Sequence, residues 1–371
     1  MITLRPVCTR RERQAFVRVA RAIYPPASPW VRPLDRIVLG ALDTRRNPFY
    51  RSGTGQAFVA YREGPPVGRI LAHVWPRHHR LHGERVAYFG YFECADDPEA
   101  ARGLLDAAAE VARAAGCRIL RGPFNMTAAQ EMGVVTGGFE EPPSIDMVYT
   151  PAWYPALLKE AGLRPCFRMR TWGNDAIGDM DPDVLLSPHQ RERQAAAGLQ
   201  VRAIRPRQRR AELEAVRELV NVAFLGNWGF VPITPEEWAW QVDALLPLLD
   251  PELVLLAEVR GVPVGVTLTV PDFNRILRRM NGSLLHPAAL SLLRRPCTDA
   301  ATVILFAVRK PYQGLGVSRR LNAELVRALR RGGYRRLTIT WIAEENAASR
   351  AQAEALGMRS LHDLAMYERE V

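Results

Sequence analysis

The stretch Arg309-Lys310-Pro311-Tyr312-Gln313-Gly314-Leu315-Gly316-Val317-Ser318 decides the fold of this chain. It follows a wholly apolar segment, Val303–Val308, which is typical of a strand buried on both faces, and it leads into a helix predicted to begin at Ser318. Gly314 and Gly316 allow the backbone to approach a ligand closely. The helix N-terminus adds unpaired N–H groups with a partial positive charge. The loop is therefore predicted to cradle a pyrophosphate group.

Strands and helices are predicted to alternate around this loop, in an order that the first half of the chain repeats. The second-half elements are strand Leu199–Arg205, helices Arg209–Phe224 and Pro235–Leu249, hairpin strands Leu253–Arg260 and Val264–Val270, strand Thr302–Val308, helix Ser318–Arg331, strand Arg336–Ile342, helix Asn346–Leu356 and strand Ser360–Glu370. The first-half elements are strand Ile2–Val7, helix Arg11–Ile23, hairpin strands Gln56–Arg62 and Val67–Trp75, strand Val86–Cys94, the helix from Pro98 to Ala115, strand Arg118–Gly122, a short helix near Pro155–Ala161 and strand Cys166–Trp172. This order predicts a mixed α/β fold with a duplicated unit.

A length of 371 residues also favours two domains. Residues 173–198 are rich in glycine, aspartate, proline and polar residues without a sustained period, so they are predicted to be a linker. The predicted domains are residues 1–172 and residues 199–371.

Composition excludes several classes of protein. No apolar run approaches the roughly 18 residues of a membrane helix, and the N-terminal residues lack the apolar stretch of a secretory signal. The five cysteines are scattered without C-x-x-C spacing, which argues against disulfides and a zinc site. His78, His79 and His82 cluster without an acidic partner at ligand spacing, so a solvated turn is predicted there. We expect a cytoplasmic protein without a metal.

The net charge of +11 comes almost entirely from arginine, since Lys159 and Lys310 are the only lysines. Two alternative explanations fit this excess of arginine. One is a compositional bias of the source genome, and the other is a polyanionic partner such as a phosphorylated cofactor, a membrane surface or nucleic acid. No aromatic–basic RNA motif or helix-turn-helix pattern is legible, so nucleic acid is not the expected partner.

The spacing Gln-x-x-Gly-x-small after a buried strand, formed by Gln313, Gly316 and Ser318, resembles the acyl-CoA loop of the GNAT (GCN5-related N-acyltransferase) superfamily. It lacks the Gly-Lys-Ser/Thr of a Walker loop, and Arg319 breaks the Gly-x-Gly-x-x-Gly pattern. Downstream, Glu344-Glu345-Asn346 and a helix closing with Ala355-Leu356-Gly357-Met358 resemble the strand–Asn–helix segment of the same superfamily.

The resemblance implies tandem GNAT folds, with acetyl-CoA or a longer acyl-CoA as co-substrate, no metal, and an amine as acceptor. The residues expected to hold the cofactor are Phe306, Ala307, Val308, Arg309, Gln313, Gly314, Leu315, Gly316, Val317, Ser318, Arg319, Asn346 and Ser349. Backbone N–H groups around residues 307–309 are expected to contact the thioester oxygen. Asn346 fits a helix N-cap as well as a cofactor contact.

Candidate catalytic residues are Glu344, Glu345 and Tyr367. The two glutamates lie at the C-terminal end of a predicted strand, a position suited to a general base, although acids there also stabilise a helix N-terminus. Tyr367 is a candidate proton donor. One departure stands out, because the superfamily often has a tyrosine proton donor where this chain has Ala353.

The first copy differs at the position of the loop, where the sequence is Cys94-Ala95-Asp96-Asp97-Pro98-Glu99. It has no glycine, and its carboxylates would occupy the helix N-terminus and repel a pyrophosphate. A degenerate GNAT-like domain is therefore predicted. The aromatic and proline-rich stretch Phe124–Tyr154 fits either a wall of the acceptor site or a packed interdomain loop.

Several segments resemble a group of bacterial two-domain GNAT-like acyltransferases, some of which are similar to bacterial ceramide synthases. These segments are Asn227-Trp228-Gly229-Phe230-Val231-Pro232, Gly122-Pro123-Phe124-Asn125, Gly138-Phe139-Glu140-Glu141-Pro142-Pro143 and Met366-Tyr367-Glu368. The expected function is acyl-CoA-dependent N-acylation of an amine. The alternatives are long-chain acylation of a sphingoid-type lipid amine and a non-catalytic binding protein of the same fold. The segment Pro271–Ala300 interleaves apolar and arginine residues, which fits contact with a membrane surface or lipid, or an ordinary packed helix.

Overall fold

The computed structural model describes residues 1–127, 131–246, 248–293 and 298–371, which divide into two compact units. The first unit contains Met1–Arg170, Ile276–Ala289 and His362–Val371, and the second contains Thr171–Arg275 and Leu290–Leu361. The chain therefore returns twice to the first unit. The predicted division into residues 1–172, 173–198 and 199–371 stays a prediction, and the two units differ from it in these returning segments.

Strands and helices alternate along the chain. The strands are β1 (Ile2–Pro6), β2 (Thr54–Arg62), β3 (Pro66–Val74), β4 (Val86–Cys94), β5 (Ile119–Gly122), β6 (Val134–Gly137), β7 (Arg164–Asn174), β8 (Leu199–Ala203), β9 (Val254–Val259), β10 (Val262–Pro271), β11 (Ala300–Val308), β12 (Arg336–Ala343) and β13 (Arg359–Glu370). The helices are α1 (Arg10–Ile23), α2 (Asp35–Ala41), α3 (Pro76–His82), α4 (Pro98–Ala114), α5 (Tyr154–Glu160), α6 (Pro188–Ala196), α7 (Arg209–Ala223), α8 (Pro235–Leu245), α9 (Asn274–Met280), α10 (Val317–Arg331) and α11 (Ala347–Ala355).

In the first unit, strands pair in the order β1–β2–β3–β4–β5–β13. All these pairs are antiparallel except β4–β5, which is parallel and is connected through α4. Helix α4 buries Leu104, Leu105 and Ala108 at helical spacing in a core that also contains Tyr367 of β13. The last strand of the chain thus completes the sheet of the first unit.

In the second unit, strands pair in the order β8–β9–β10–β11–β12. Here too only one pair, β11–β12, is parallel, and α10 makes the connection. Helix α10 buries Val317, Leu321, Leu325 and Leu329, the apolar face that its sequence presents. Each unit therefore has antiparallel strands followed by a parallel strand across a helix, and the predicted α/β fold with a duplicated unit is confirmed.

One prediction about local structure was wrong. Residues 76–82 form α3 instead of a solvated turn, and His78 is buried there beside the Tyr88 hydroxyl, 2.9 Å from its Nε2. Burial lowers the pKa of His78 to about 3, so the ring is neutral. Residues 173–198, whose role as a linker stays a prediction, contain helix α6.

Two further expectations concern membrane-spanning helices and metal sites. Within it, no helix is both long and apolar enough to cross a membrane. Nor do these residues place three or more His, Cys, Asp or Glu side chains together as a metal site would require. Cys297 lies outside the described residues.

Candidate functional site

The loop between β11 and α10 is shaped by a left-handed glycine. A short 3₁₀ helix, Lys310–Leu315, follows β11, and Gly316 has φ 74° and is the N-cap of α10. No side chain caps this helix, which begins one residue earlier than predicted. The N–H groups of its first turn thus have no partner within the helix, and the positive pole of its dipole faces the loop. Gly314 is exposed, with no atom within 4 Å of the position of a Cβ.

Strands β11 and β12 separate beside this loop. Residues Ala300–Val303 of β11 pair with Arg336–Ile339 of β12. The pairing ends there, although β11 continues to Val308 and β12 to Ala343. A β-bulge at Ile304 accompanies the separation. Two parallel strands that part in this way leave one backbone edge of β11 open.

The open edge offers backbone donors. Arg309 N–H donates to Val264 O of β10 at 2.9 Å. Successive N–H groups of a strand point to opposite sides, so those of Val308 and Phe306 point away from β10, towards the gap. This geometry supports the predicted contact between backbone N–H groups around residues 307–309 and an oxygen that gains negative charge.

The equivalent gap in the first unit is filled by the protein itself. Phe124 N–H donates to Phe89 O at 2.7 Å, and the Asn125 side-chain oxygen accepts from Tyr91 N–H at 2.7 Å. A Cβ on Gly90 would lie 2.4 Å from Phe124 O, so this segment touches the backbone of β4.

The helix after that gap is also occupied. The Asp97 carboxylate accepts from Ala100 N–H at 3.1 Å and is 2.7 Å from the Arg62 guanidinium, which holds the pKa of Asp97 below its usual value. Both features that are open in the second unit are therefore closed in the first, as expected for a degenerate copy.

The two candidate glutamates and Asn346 lie in the turn after β12. Because β11 and β12 are parallel, this turn and the loop lie at the same edge of the sheet. Glu344 is half-buried and Glu345 is exposed. Asn346 accepts from Ser349 N–H at 3.0 Å and is the N-cap of α11, which agrees with its structural interpretation. Ala353 is fully buried in α11.

Two further candidates are Arg319 and Tyr367. Arg319 is exposed on the first turn of α10. Tyr367 lies in the core of the first unit, 1% exposed and opposite Gly122 in the pairing of β13 with β5, and burial raises its pKa. This placement gives no support to Tyr367 as the proton donor, and that role stays a prediction.

Gln194, which was not among the predicted site residues, contacts the loop directly. Its Nε2 donates to Leu315 O at 3.3 Å and to Gly316 O at 3.1 Å, and the residue is only 2% exposed. Gln194 lies on α6. The N-terminus of this helix has a reciprocal capping box between Ser187 and Gln190, and Pro188 is its first residue. That capping pattern is the sequence feature that could have revealed the helix.

Two acidic residues of the first unit, Glu131 and Asp146, lie within the stretch predicted to wall the acceptor site, of which residues 128–130 lie outside the described residues. Glu131 and Asp146 reach solvent, yet the surrounding protein desolvates them and raises the pKa of each to about 7. Burial also raises the pKa of Glu93, whose Oε2 accepts from the Tyr154 hydroxyl at 2.6 Å. The carboxyl groups of Glu131 and Asp146 therefore take up or release a proton near neutral pH.

Comparison with known proteins agrees with this geometry. Residues 213–358 match the acetyltransferase (GNAT) family. The chain is 28% identical over 377 residues to Protein YghO of Escherichia coli, covering 99% of this chain and 95% of that protein. It is 29% identical over 376 residues to the bacterial ceramide synthase of Caulobacter vibrioides, covering 98% of this chain and 96% of that protein.

Solved structures show the same fold along the whole chain. A tandem GNAT protein from the clavulanic acid biosynthesis pathway superposes with a TM-score of 0.58 at 15% identity, covering 100% of this chain and 98% of that one. A GCN5-related N-acetyltransferase from Sphaerobacter thermophilus superposes with a TM-score of 0.51 at 16% identity, covering 100% and 95%. The chain thus has a tandem GNAT fold, and residues 213–358 in its second half match the GNAT family.

Proposed function

We propose that this chain, with a tandem GNAT fold and a GNAT-family domain in its second half, transfers an acyl group from acyl-CoA to an amine in the cytoplasm. The observation that carries the proposal is the uncapped N-terminus of α10 behind the left-handed Gly316. Three features fit the parts of an acyl-CoA. The helix N-terminus suits its pyrophosphate, the gap between β11 and β12 suits its pantetheine arm, and the N–H groups of Val308 and Phe306 suit its thioester oxygen.

The reaction also needs proton transfers. An amine attacks as the free base, so a base must accept its proton, and Glu344 and Glu345 are the proposed candidates because they follow β12 at the same sheet edge as the loop. Ala353 supplies no proton for the departing thiolate. We propose that solvent water protonates it.

Cofactor binding is tested by isothermal titration with CoA. Gly316→Glu should abolish measurable binding, because it places a carboxylate at the helix N-terminus and a side chain at φ 74°. Gly333→Glu is the matched control, since Gly333 also has φ 74°, follows the same helix at its other end and has open space around its Cβ position. Wild-type protein that binds neither CoA nor long-chain acyl-CoA would exclude the proposal.

The acceptor class is proposed from one relative. The similarity to a protein named bacterial ceramide synthase favours a long-chain lipid amine as a narrower candidate than a small amine. A panel of acyl-CoA chain lengths, combined with small amines and sphingoid-type amines, separates the two. Preference for short acyl chains and small amines would contradict the lipid candidate.

A lipid acceptor would bring the protein to a membrane surface. We propose that residues 271–300 contain the segment that contacts this surface. Within it, Phe273, Ile276 and Met280 are buried in the fold, whereas Leu285 is 96% exposed and Leu284 is 40% exposed. Residues 294–297 lie outside the described residues. Co-sedimentation with anionic vesicles should decrease for the variant Leu284→Ser/Leu285→Ser, and unchanged retention would exclude this surface.

A non-catalytic binding protein is the second candidate function, favoured by Ala353 in place of the usual tyrosine. Free-thiol release from acyl-CoA, measured with a broad amine library, distinguishes the two. CoA binding without turnover for any amine would favour the binding protein.

A further inference from the structure

Gln194 contacts two carbonyl groups in the backbone of the loop. Its side-chain amide donates to two successive carbonyl groups, those of Leu315 and Gly316, from the buried side of the loop. In a planar trans peptide the C=O and the following N–H point in opposite directions. Holding these two carbonyls therefore turns the N–H groups of Gly316 and Val317 to the opposite side.

The two carbonyls differ in what else restrains them. Gly316 O also accepts from Arg320 N–H at 3.1 Å, as the N-cap residue of a helix ordinarily does. For Leu315 O, Gln194 is the hydrogen-bond donor that the described structure provides. The orientation of the Gly316 N–H is thus set by a side chain on α6, outside the loop and outside the sequence pattern that identifies it.

Helix α6 is also held next to α10, the helix that follows the loop. Arg191 of α6 is 3.0 Å from the Asp183 carboxylate, which also pairs with Arg327 of α10. Gln194 leaves little space, since a Cβ at Gly316 would lie 3.1 Å from its Nε2. Helix α6 therefore rests on the loop with a defined geometry and is tied to α10 at a second point.

We propose that Gln194 is a positioning residue that orients the N–H groups of Gly316 and Val317 towards the phosphates of the acyl-CoA. The proposal rests on the proposed function of the loop. It assigns to α6 a specific task in phosphate recognition, because preorganised N–H donors bind an anion without the energetic cost of reorienting the backbone.

Two ligands that differ only in the phosphates and nucleotide provide the test. Dissociation constants of octanoyl-CoA and S-octanoyl-pantetheine are measured for the wild-type protein and for Gln194→Met, which keeps the length of the side chain but donates no hydrogen bond. We expect a loss of about tenfold for octanoyl-CoA, because the backbone must then be oriented when the phosphates bind, and no change for octanoyl-pantetheine. Glu192→Met, an exposed position on α6, is the control and should leave both constants unchanged.

The outcomes separate this proposal from the one it rests on. An equal loss for both ligands would show a general structural role for Gln194, and no loss for either would show no role, so each result overturns the proposal. A wild-type protein that binds neither ligand contradicts the proposed function instead.

Discussion

Gly316 and Asp97 hold the same position in the two units, since each is the N-cap of the helix that joins two parallel strands. Asp97 satisfies a helix N–H with its own carboxylate and is paired with Arg62. Gly316 has no side chain and leaves the first-turn N–H groups available to an anion. One residue type at one position therefore distinguishes a self-capped helix from a helix that can bind phosphate. This difference could be predicted from sequence, because both residues act through local geometry.

Asp146 in the first unit predicts an unusual pH dependence of stability. Asp146 has a pKa of about 7 in the folded protein, against an ordinary value of 3.8. Between these values the folded state holds a proton that the unfolded state has lost, so raising the pH from about 4 to about 7 destabilises the folded state. Asp146→Asn removes this group and should be more stable than the wild type at pH 8, with a smaller difference at pH 5.

Thermal unfolding midpoints at the two pH values check this expectation. Asp96→Asn, which removes an exposed carboxylate of the same unit, is the control. An Asp146→Asn midpoint that is lower than the wild-type midpoint at pH 8 would contradict it.

At the scale of elements, α10 and α6 show opposite degrees of predictability. Helix α10 has a regular apolar stripe and was predicted to within one residue of its observed start. In α6 the buried residue is Gln194, so the helix has no apolar stripe that sequence periodicity could detect. The buried Gln194 side chain donates to two carbonyl groups that are 121 and 122 residues away in sequence. The loop was therefore predictable, whereas the element that supports it was not.

The contact between β10 and α10 gives an element-scale prediction. A Cβ at Gly265 would lie 2.9 Å from a Val317 methyl carbon and 3.2 Å from one of Leu321. Gly265→Val should therefore displace the first turn of α10, lowering the free energy of unfolding by about 1–3 kcal/mol, as overpacking does. CoA affinity should fall as well, because Val317 begins the helix that carries the proposed phosphate contacts.

Urea denaturation and CoA titration measure the two effects. Val262→Leu lies on the same strand at a side chain that is 47% exposed, and it should change neither quantity. Normal CoA affinity in a destabilised Gly265→Val protein would show that the loop does not depend on this packing.

At the scale of the molecule, the duplicated order of elements was predictable because strands and turns of each copy are local in sequence. The returning segments were not. Strand β13 reads as the last strand of the second copy, yet its residues Tyr367 and Glu368 pair with Gly122 and Arg121 of β5. Nothing in the local pattern of a strand specifies a partner so distant in sequence.

This pairing predicts that residues 1–172 do not form a complete unit by themselves. The fragment lacks β13, which contributes Ala365 and Tyr367 to the core. We expect it to unfold without a cooperative transition in urea, monitored by circular dichroism. Joining residues 359–371 through a flexible Gly/Ser linker should restore cooperativity. If the bare fragment unfolds cooperatively at the same urea concentration as the extended one, β13 is dispensable.

The position of β13 also determines when the first unit can be finished on the ribosome. Arg121 and Glu368 form a hydrogen-bonded ion pair although they are 247 residues apart in sequence. At about 5–20 residues per second, translation of that interval takes roughly 12–50 s. Throughout this time β5 lacks its later partner, β13. The nascent first unit therefore has an open sheet edge that chaperones and neighbouring chains can contact. The N-terminal half of this protein, made first, therefore completes its fold only after β13 has emerged.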